Sequence, residues 1–122
     1  MEIVIEAGHL EVEAELFDTA TARAIFEALP LEAAAHTWGD EVYFEIPVTA
    51  ELDETAREVV QIGDLGYWPT GKAMCIFFGP TPISSPGEIK PASAVNIIGQ
   101  VRGEAAVFKE VQAGARIKVG RA

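Results

Sequence analysis

The residues best suited to recognition lie together at Tyr67-Trp68-Pro69. Two aromatic rings beside a proline make a rigid apolar wall, with a phenol O–H and an indole N–H as polar handles. Trp68 precedes Pro69 and is steered to extended backbone, which puts a strand end there. The same rings could instead fill the interior, and both readings stay open. Phe77 and Phe78 are adjacent, so on a strand they point to opposite faces. One is expected in the core, the other in a pocket or beneath the loop that follows. Cys75, the only cysteine, has no nearby cation or helix N-terminus to lower its pKa, and reads as a small buried apolar residue. His9 and His36 are far apart, and neither has a second ligand at metal spacing, so no metal site is expected. His36 stands two residues before Trp38, on one face of a strand there, and enters as a pocket candidate. No nucleophile–base arrangement is evident. Gly63-x-x-Gly66 leads into a strand rather than a helix and lacks the dipole that phosphate sites use. No cofactor is expected.

The elements that must position these groups are mostly strands. Leu10, Val12, Ala14 and Leu16 alternate with Glu11, Glu13 and Glu15, and Gly8-His9 joins this strand to one over Glu2 to Ala7 as a hairpin. Three glutamates on one face repel each other, so that face must be solvated or meet cations from a neighbour. Asp18 or Thr19 can cap a helix in which Ala22, Ile25, Phe26 and Leu29 share a face, and Pro30 stops it. Strands are predicted over Glu32 to Trp38 and, after the Gly39-Asp40 turn, Glu41 to Val48. In the second, Val42, Phe44, Ile46 and Val48 form one face, Tyr43 and Glu45 the other. Residues 49–56 read as an irregular acidic excursion. Further strands are predicted at Glu58 to Ile62, Leu65 to Trp68, Lys72 to Phe78, Ala94 to Val101 and Ala115 to Val119, with a short helix at Glu104 to Glu110. Residues 79–93 hold four of the seven prolines and read as a long surface loop, of a length usually functional or mobile. This pattern predicts a mainly β domain: a closed or nearly closed barrel of about eight strands with two short capping helices. A two-layer α+β sandwich is the competitor.

Composition narrows the function classes. The chain has 122 residues and a formal net charge of -10, which suits a single domain over residues 1–122. Residues 1–64 hold sixteen acids against two bases, giving -14; residues 65–122 hold three acids against seven bases, giving +4. The seven bases lie singly, so no phosphate-backbone surface is built and no nucleic-acid partner is expected. The longest apolar runs are about six residues, too short to span a bilayer, and no membrane partner is expected. The acidic start Met1-Glu2-Ile3-Val4-Ile5-Glu6 lacks the basic flank of a signal peptide. With a lone cysteine, that makes the cytoplasm the expected location.

The segment Asn96-Ile97-Ile98-Gly99-Gln100-Val101-Arg102-Gly103, continuing to Val111, resembles the cyclophilins, the peptidyl-prolyl isomerases. Their matching stretch is a strand ending in F-G-x-V, then a glycine, then a short helix, here with Val107, Phe108 and Val111 as its buried stripe. Ile46-Pro47 is similar to the I-P that follows the strand bearing their catalytic arginine, and Gln61-Ile62-Gly63-Asp64 is similar to their Q-G-G-D. The block from Gly63 to Pro82, with Tyr67-Trp68-Pro69 and Cys75-Ile76-Phe77-Phe78-Gly79-Pro80, resembles the hallmark of small bacterial and archaeal cyclophilin-like proteins of unassigned function. The resemblance covers nearly the whole chain. It implies an eight-stranded barrel whose ends are closed by helices.

The departure bears on function. Where cyclophilins place their arginine, this chain reads Phe44-Glu45-Ile46-Pro47. Rotation about a prolyl amide must overcome a barrier of about 18–20 kcal/mol set by C–N double-bond character. A cation donating to the prolyl nitrogen lowers that barrier, and a carboxylate there opposes it. The reading is therefore a non-catalytic barrel binding a small molecule or short peptide. Its aromatic groove is formed by Tyr67, Trp68 and one of Phe77 and Phe78. By the resemblance, Gln61 and Glu45 face the same groove. Gly63-Asp64 reads as turn chemistry. An atypical prolyl isomerase, a hydrolase-associated domain and an acidic interaction module are the alternatives, and a homo-oligomer is compatible with each.

Overall fold

The computed structural model describes residues 1–122, and the alternation of the first sixteen residues governs its start. Strands β1 (Glu2–Ala7) and β2 (Leu10–Leu16) pair as an antiparallel hairpin in the register Ile5↔Val12 and Ala7↔Leu10. Val12, Ala14 and Leu16 are buried while Glu11 and Glu13 face solvent. Helix α1 (Ala20–Ala28) is capped by Thr19, whose Oγ1 accepts from the Ala22 backbone N–H at 3.3 Å. Its Ala22 and Ile25 enter the core against β2 and the later strand β9 (Val95–Val101).

The remaining strands are β3 (Leu31–Ala34), β4 (His36–Thr37), β5 (Glu41–Glu45), β6 (Ala56–Arg57), β7 (Asp64–Trp68), β8 (Ala73–Phe77) and β10 (Arg116–Arg121). The hydrogen-bonded order is β3-β10-β1-β2-β9-β7-β8-β5-β4, with β6 paired to β9 off this path, and every pairing is antiparallel. The two ends of that order, β3 and β4, are consecutive in the chain. The single residue between them, Ala35, is buried, and its N–H donates to the Ala115 carbonyl at 2.8 Å. The chain thus steps directly across the seam, so the sheet curls into a nearly closed barrel. A 3-10 helix at Ala105–Glu110 places Ala105 and Phe108 in the core. No helix is long and apolar enough to cross a membrane.

Two local expectations change. The strand expected over Glu32 to Trp38 is split at Ala35, because its halves pair with different strands, β10 and β5. No strand forms over Glu58 to Ile62. Val60 is buried while Val59 and Ile62 are exposed, the partner is a single bridge to Ile89, and the pairing residues are Ala56 and Arg57 instead. The short helix expected over Glu104 to Glu110 is present, as a 3-10 helix.

Two apolar clusters result. The barrel interior holds Phe44, Tyr67, Met74, Ile76, Phe78 and Phe108 among its larger residues. A smaller one, Val60, Cys75, Phe77, Ile89 and Val95, lies on the other face of β8, where the 79–93 segment covers it. That segment is tied to itself. Thr81 Oγ1 donates to the Lys90 carbonyl, and Ser84 Oγ accepts from the Thr81 and Lys90 N–H groups at 2.9 and 3.0 Å. Cations from the second half meet the glutamates of the first. Arg102 makes two 2.7 Å hydrogen bonds to Glu2 and reaches Glu15, Arg116 bonds Glu32, and Lys118 stands opposite Glu6.

Candidate functional site

On β5 the outward positions are Glu41, Tyr43 and Glu45, alternating with the buried Val42 and Phe44. The same face of the neighbouring strands carries Cys75 and Phe77 on β8 and Trp68 on β7. Over the Glu41 end of this surface lies a pocket of about 270 Å³, walled by Trp38, Tyr43 and Trp68, with Pro91, Ala92 and Val95 closing it from the loop side.

Each wall is held by local structure. Trp38 precedes the turn that starts β5, and its N–H donates to the Glu41 carbonyl at 3.0 Å. Gly39 has φ +60°, and a Cβ there would lie 2.8 Å from Pro82 Cδ, so only glycine lets this turn sit against the loop. Asp40 fastens the same turn, its N–H donating to the Pro80 carbonyl at 2.9 Å and its carbonyl accepting from the Phe78 N–H at 3.0 Å. Tyr43 is stacked on its other side by His36, with ring centroids 5.2 Å apart, and meets Trp68 edge-on at 6.1 Å and 82°. Trp68 Nε1 donates to Ser93 Oγ at 2.7 Å, which ties the wall to the end of the loop. Below, Gly66 leaves room for Val95 to descend, since a Cβ at Gly66 would stand 2.9 Å from Val95 Cγ2.

The buried group in this pocket is Glu41, only 4% exposed. Four polar or charged residues are buried: Thr21, Glu41, Thr81 and Asn96. Asn96 is fully engaged, accepting from the Asp53 N–H and donating to Thr21 Oγ1 and the Glu51 carbonyl, and Thr81 is bonded within its loop. Glu41 has no ion-pair partner, and its one polar side-chain neighbour is the Cys75 thiol. Desolvation raises its pKa from the usual carboxylate range to about 7, and the thiol offsets this only in part. Burial, then the nearby Glu41 charge, push the Cys75 thiol well above its ordinary value. An aromatic enclosure with a carboxyl that titrates near neutrality can hold an apolar group and accept a hydrogen bond, a proton or a positive charge from it.

The groups singled out from sequence are distributed over five places. Trp68 lines the pocket. Tyr67 faces the barrel interior, 1% exposed, its hydroxyl donating to the Val48 carbonyl at 2.6 Å and accepting from the Ala50 N–H at 3.3 Å. Phe77 lies beneath the proline-rich loop, and Phe78 is in the core 6.4 Å from the Phe108 ring. Glu45 is exposed at the far end of β5, on the pocket's face but outside its lining. Gln61 belongs to a separate shallow groove with Phe17, Arg57 and Asp64, and its N–H donates to Asp64 Oδ2 in a tight turn. Asp64 is raised by desolvation, against hydrogen bonds from Gln61 and Gln100. Trp38 and Glu41 were not anticipated. Glu41 was findable as the i−2 neighbour of Tyr43; its burial depends on a loop 50 residues away. A larger depression of about 640 Å³ lies along β1, β10 and β3, but it is open and lined by glutamates facing Lys118 and Arg121, with no aromatic wall. No group of three metal-ligating side chains converges in the chain.

The Cyclophilin-like family profile matches residues 1–120. Among solved structures, the solution structure of the hypothetical protein AF2241 from Archaeoglobus fulgidus is similar over 100% of this chain and 95% of its own. Its identity is 43% and the TM-score 0.83. McbB, solved in complex with tryptophan, is 16% identical, with a TM-score of 0.70 over 98% of this chain and 44% of McbB; it shares the fold. No curated protein matches the chain.

Proposed function

The chain belongs to the cyclophilin-like family, and from that premise we propose that it is a binding barrel rather than an isomerase, seating a small molecule or a short peptide side chain in the Trp38–Tyr43–Trp68 pocket. The observation that carries this reading is Glu41: a buried carboxyl without a cation, in the pocket walled by Trp38, Tyr43 and Trp68. Burying an unpaired carboxyl costs stability, and such a cost is characteristic of ligand sites. No lysine or arginine lines the pocket, so no cation there donates to a prolyl nitrogen. Glu45, exposed on the same face, is available to a peptide that extends beyond the pocket. McbB's bound tryptophan is compatible with a small-molecule role for a barrel of this shape.

Trp38 and Trp68 are the only tryptophans, so intrinsic fluorescence reports on this pocket alone. A screen of small molecules and short peptides by thermal shift and fluorescence should find ligands that stabilise wild type and quench its emission. Trp38→Ala and Trp68→Ala should abolish both effects while keeping the fold by circular dichroism. Ligands that stabilise all three proteins equally would place binding elsewhere and overturn the reading. Turnover in a protease-coupled prolyl-isomerisation assay, lost on Trp68→Ala, would replace it with the isomerase reading.

A further inference from the structure

Resting on the pocket reading above, we infer that the group recognised there is an alkylated ammonium, with methyl groups against the rings of Trp38, Tyr43 and Trp68 and its charge against Glu41. The walls supply the first half of the argument. Aromatic faces carry negative quadrupole potential and attract organic cations, and the attraction grows when the site is desolvated. Tyr43 and Trp68 meet at 82°, so they form a corner rather than a flat platform, and Trp38 adds a third ring. A corner of rings suits a compact, roughly spherical head better than a planar ring, which a parallel pair would sandwich.

Glu41 supplies the second half. Glu41 is buried with no cation beside it, so once ionised it leaves the site an anionic charge that no side chain neutralises. An anionic ligand would be repelled. A neutral apolar ligand would seal the carboxyl further from water with no compensation. A cation removes that penalty.

The hydrogen-bond inventory then selects the kind of cation. Beyond Glu41 and the Tyr43 phenol, the lining side chains offer no acceptor: Trp38 and Trp68 only donate, and Pro91, Ala92 and Val95 are apolar there. A primary ammonium carries three N–H donors, and all three would have to converge on these two groups. Each methyl that replaces an N–H exchanges a donor that must find one of these acceptors for contact with a ring. A tertiary ammonium, donating its single N–H to Glu41, or a quaternary one, held by charge alone, satisfies the site. The source of such a group is either a free methylated amine or the methylated lysine of a peptide.

The test is a fluorescence titration of the full chain with Glu41 ionised, at a pH above its transition. The probes are choline, dimethylaminoethanol, the uncharged choline isostere 3,3-dimethylbutanol, and a short peptide bearing dimethyl- or trimethyllysine. The cations should quench Trp38 and Trp68 saturably and bind about tenfold or more tighter than the isostere. Glu41→Gln should erase that preference. Tighter binding of the peptide than of the free amines assigns the source to a protein partner, and the reverse order assigns it to a small molecule. Equal binding of choline and its isostere overturns the inference and leaves the pocket reading intact. Absence of binding by every cation, with other ligands found in the broader screen, overturns it too. Absence of any ligand for the pocket ends both.

Discussion

Glu41 on β5 and Cys75 on β8 share the outward face of the sheet, and the thiol is the only polar side chain beside the carboxyl. The pair is diagonal in the ladder, since Glu41 stands opposite Phe77 and Cys75 opposite Tyr43. A thiol is a weak donor, so it cannot replace the water that a carboxylate loses on burial. The groups around Glu41 are therefore Cys75 and Tyr43, with His36 stacked behind the tyrosine, and no lysine or arginine among them.

Stability should fall as pH rises from about 4.5 to about 7. With its folded pKa raised to about 7 against 4.5 for the free group, Glu41 binds a proton more tightly in the native state. Its penalty is absent below the unfolded value, grows between the two, and is complete above about pH 7. The gap corresponds to about 3 kcal/mol. Melting temperatures of wild type and Glu41→Gln should diverge across this window, with wild type dropping and the variant staying level relative to it. Asp64, also raised by desolvation, is present in both and cancels. Parallel curves would refute the assignment.

Cys75 should be inert in the native protein. Its thiolate is disfavoured first by burial and then by the Glu41 charge, and the side chain is 1% exposed. Iodoacetamide should leave the folded chain unmodified by mass spectrometry and label it to completion in denaturant. Native labelling at the rate of a free thiol would show that the pocket floor opens.

The two residues of Tyr67-Trp68 show what was legible. Alternation separates them: Tyr67 shares a face with the buried Leu65, Trp68 with Gly66, so the sequence contained the assignment of one ring to the core and one to the surface. The strands with strict period two, β1, β2 and β5, were readable for the same reason. Segments whose partners are distant were not. Val60 is buried but meets only Ile89 across a single bridge, and Glu32 to Trp38 changes partner at Ala35. The resemblance drew attention to Glu45, where cyclophilins carry a cation, whereas the buried carboxyl lies at the other end of the same strand. Glu41 is buried because residues 79–93 fold over it, and that long-range contact leaves no local signature.

Tyr67→Phe separates core from site. Losing the hydroxyl orphans the Val48 carbonyl and the Ala50 N–H, and should cost about 1–2 kcal/mol in urea unfolding. Quenching by any pocket ligand should be unchanged, because Tyr67 faces the other side of β7. A variant of normal stability, or one with altered ligand affinity, would show that Tyr67 belongs to the site after all.

Gly66→Ala tests how the floor of the pocket is set. The added methyl would stand 2.9 Å from Val95 Cγ2 and 3.3 Å from Phe77 Cε2, inside ordinary contact distance, while the backbone at Gly66 has no conformation that glycine alone can adopt. The cost is therefore steric, about 1–3 kcal/mol by overpacking. Because the clash is with a side chain, Val95→Ala should relieve it. The double variant should be more stable than the sum of the two single losses predicts, a coupling that a double-mutant cycle in urea measures directly. Val95 also lines the pocket, so Gly66→Ala should shift Trp68 emission, and the second substitution should restore it. Additive losses with unchanged emission would mean that the pocket floor does not depend on how closely Val95 approaches β7.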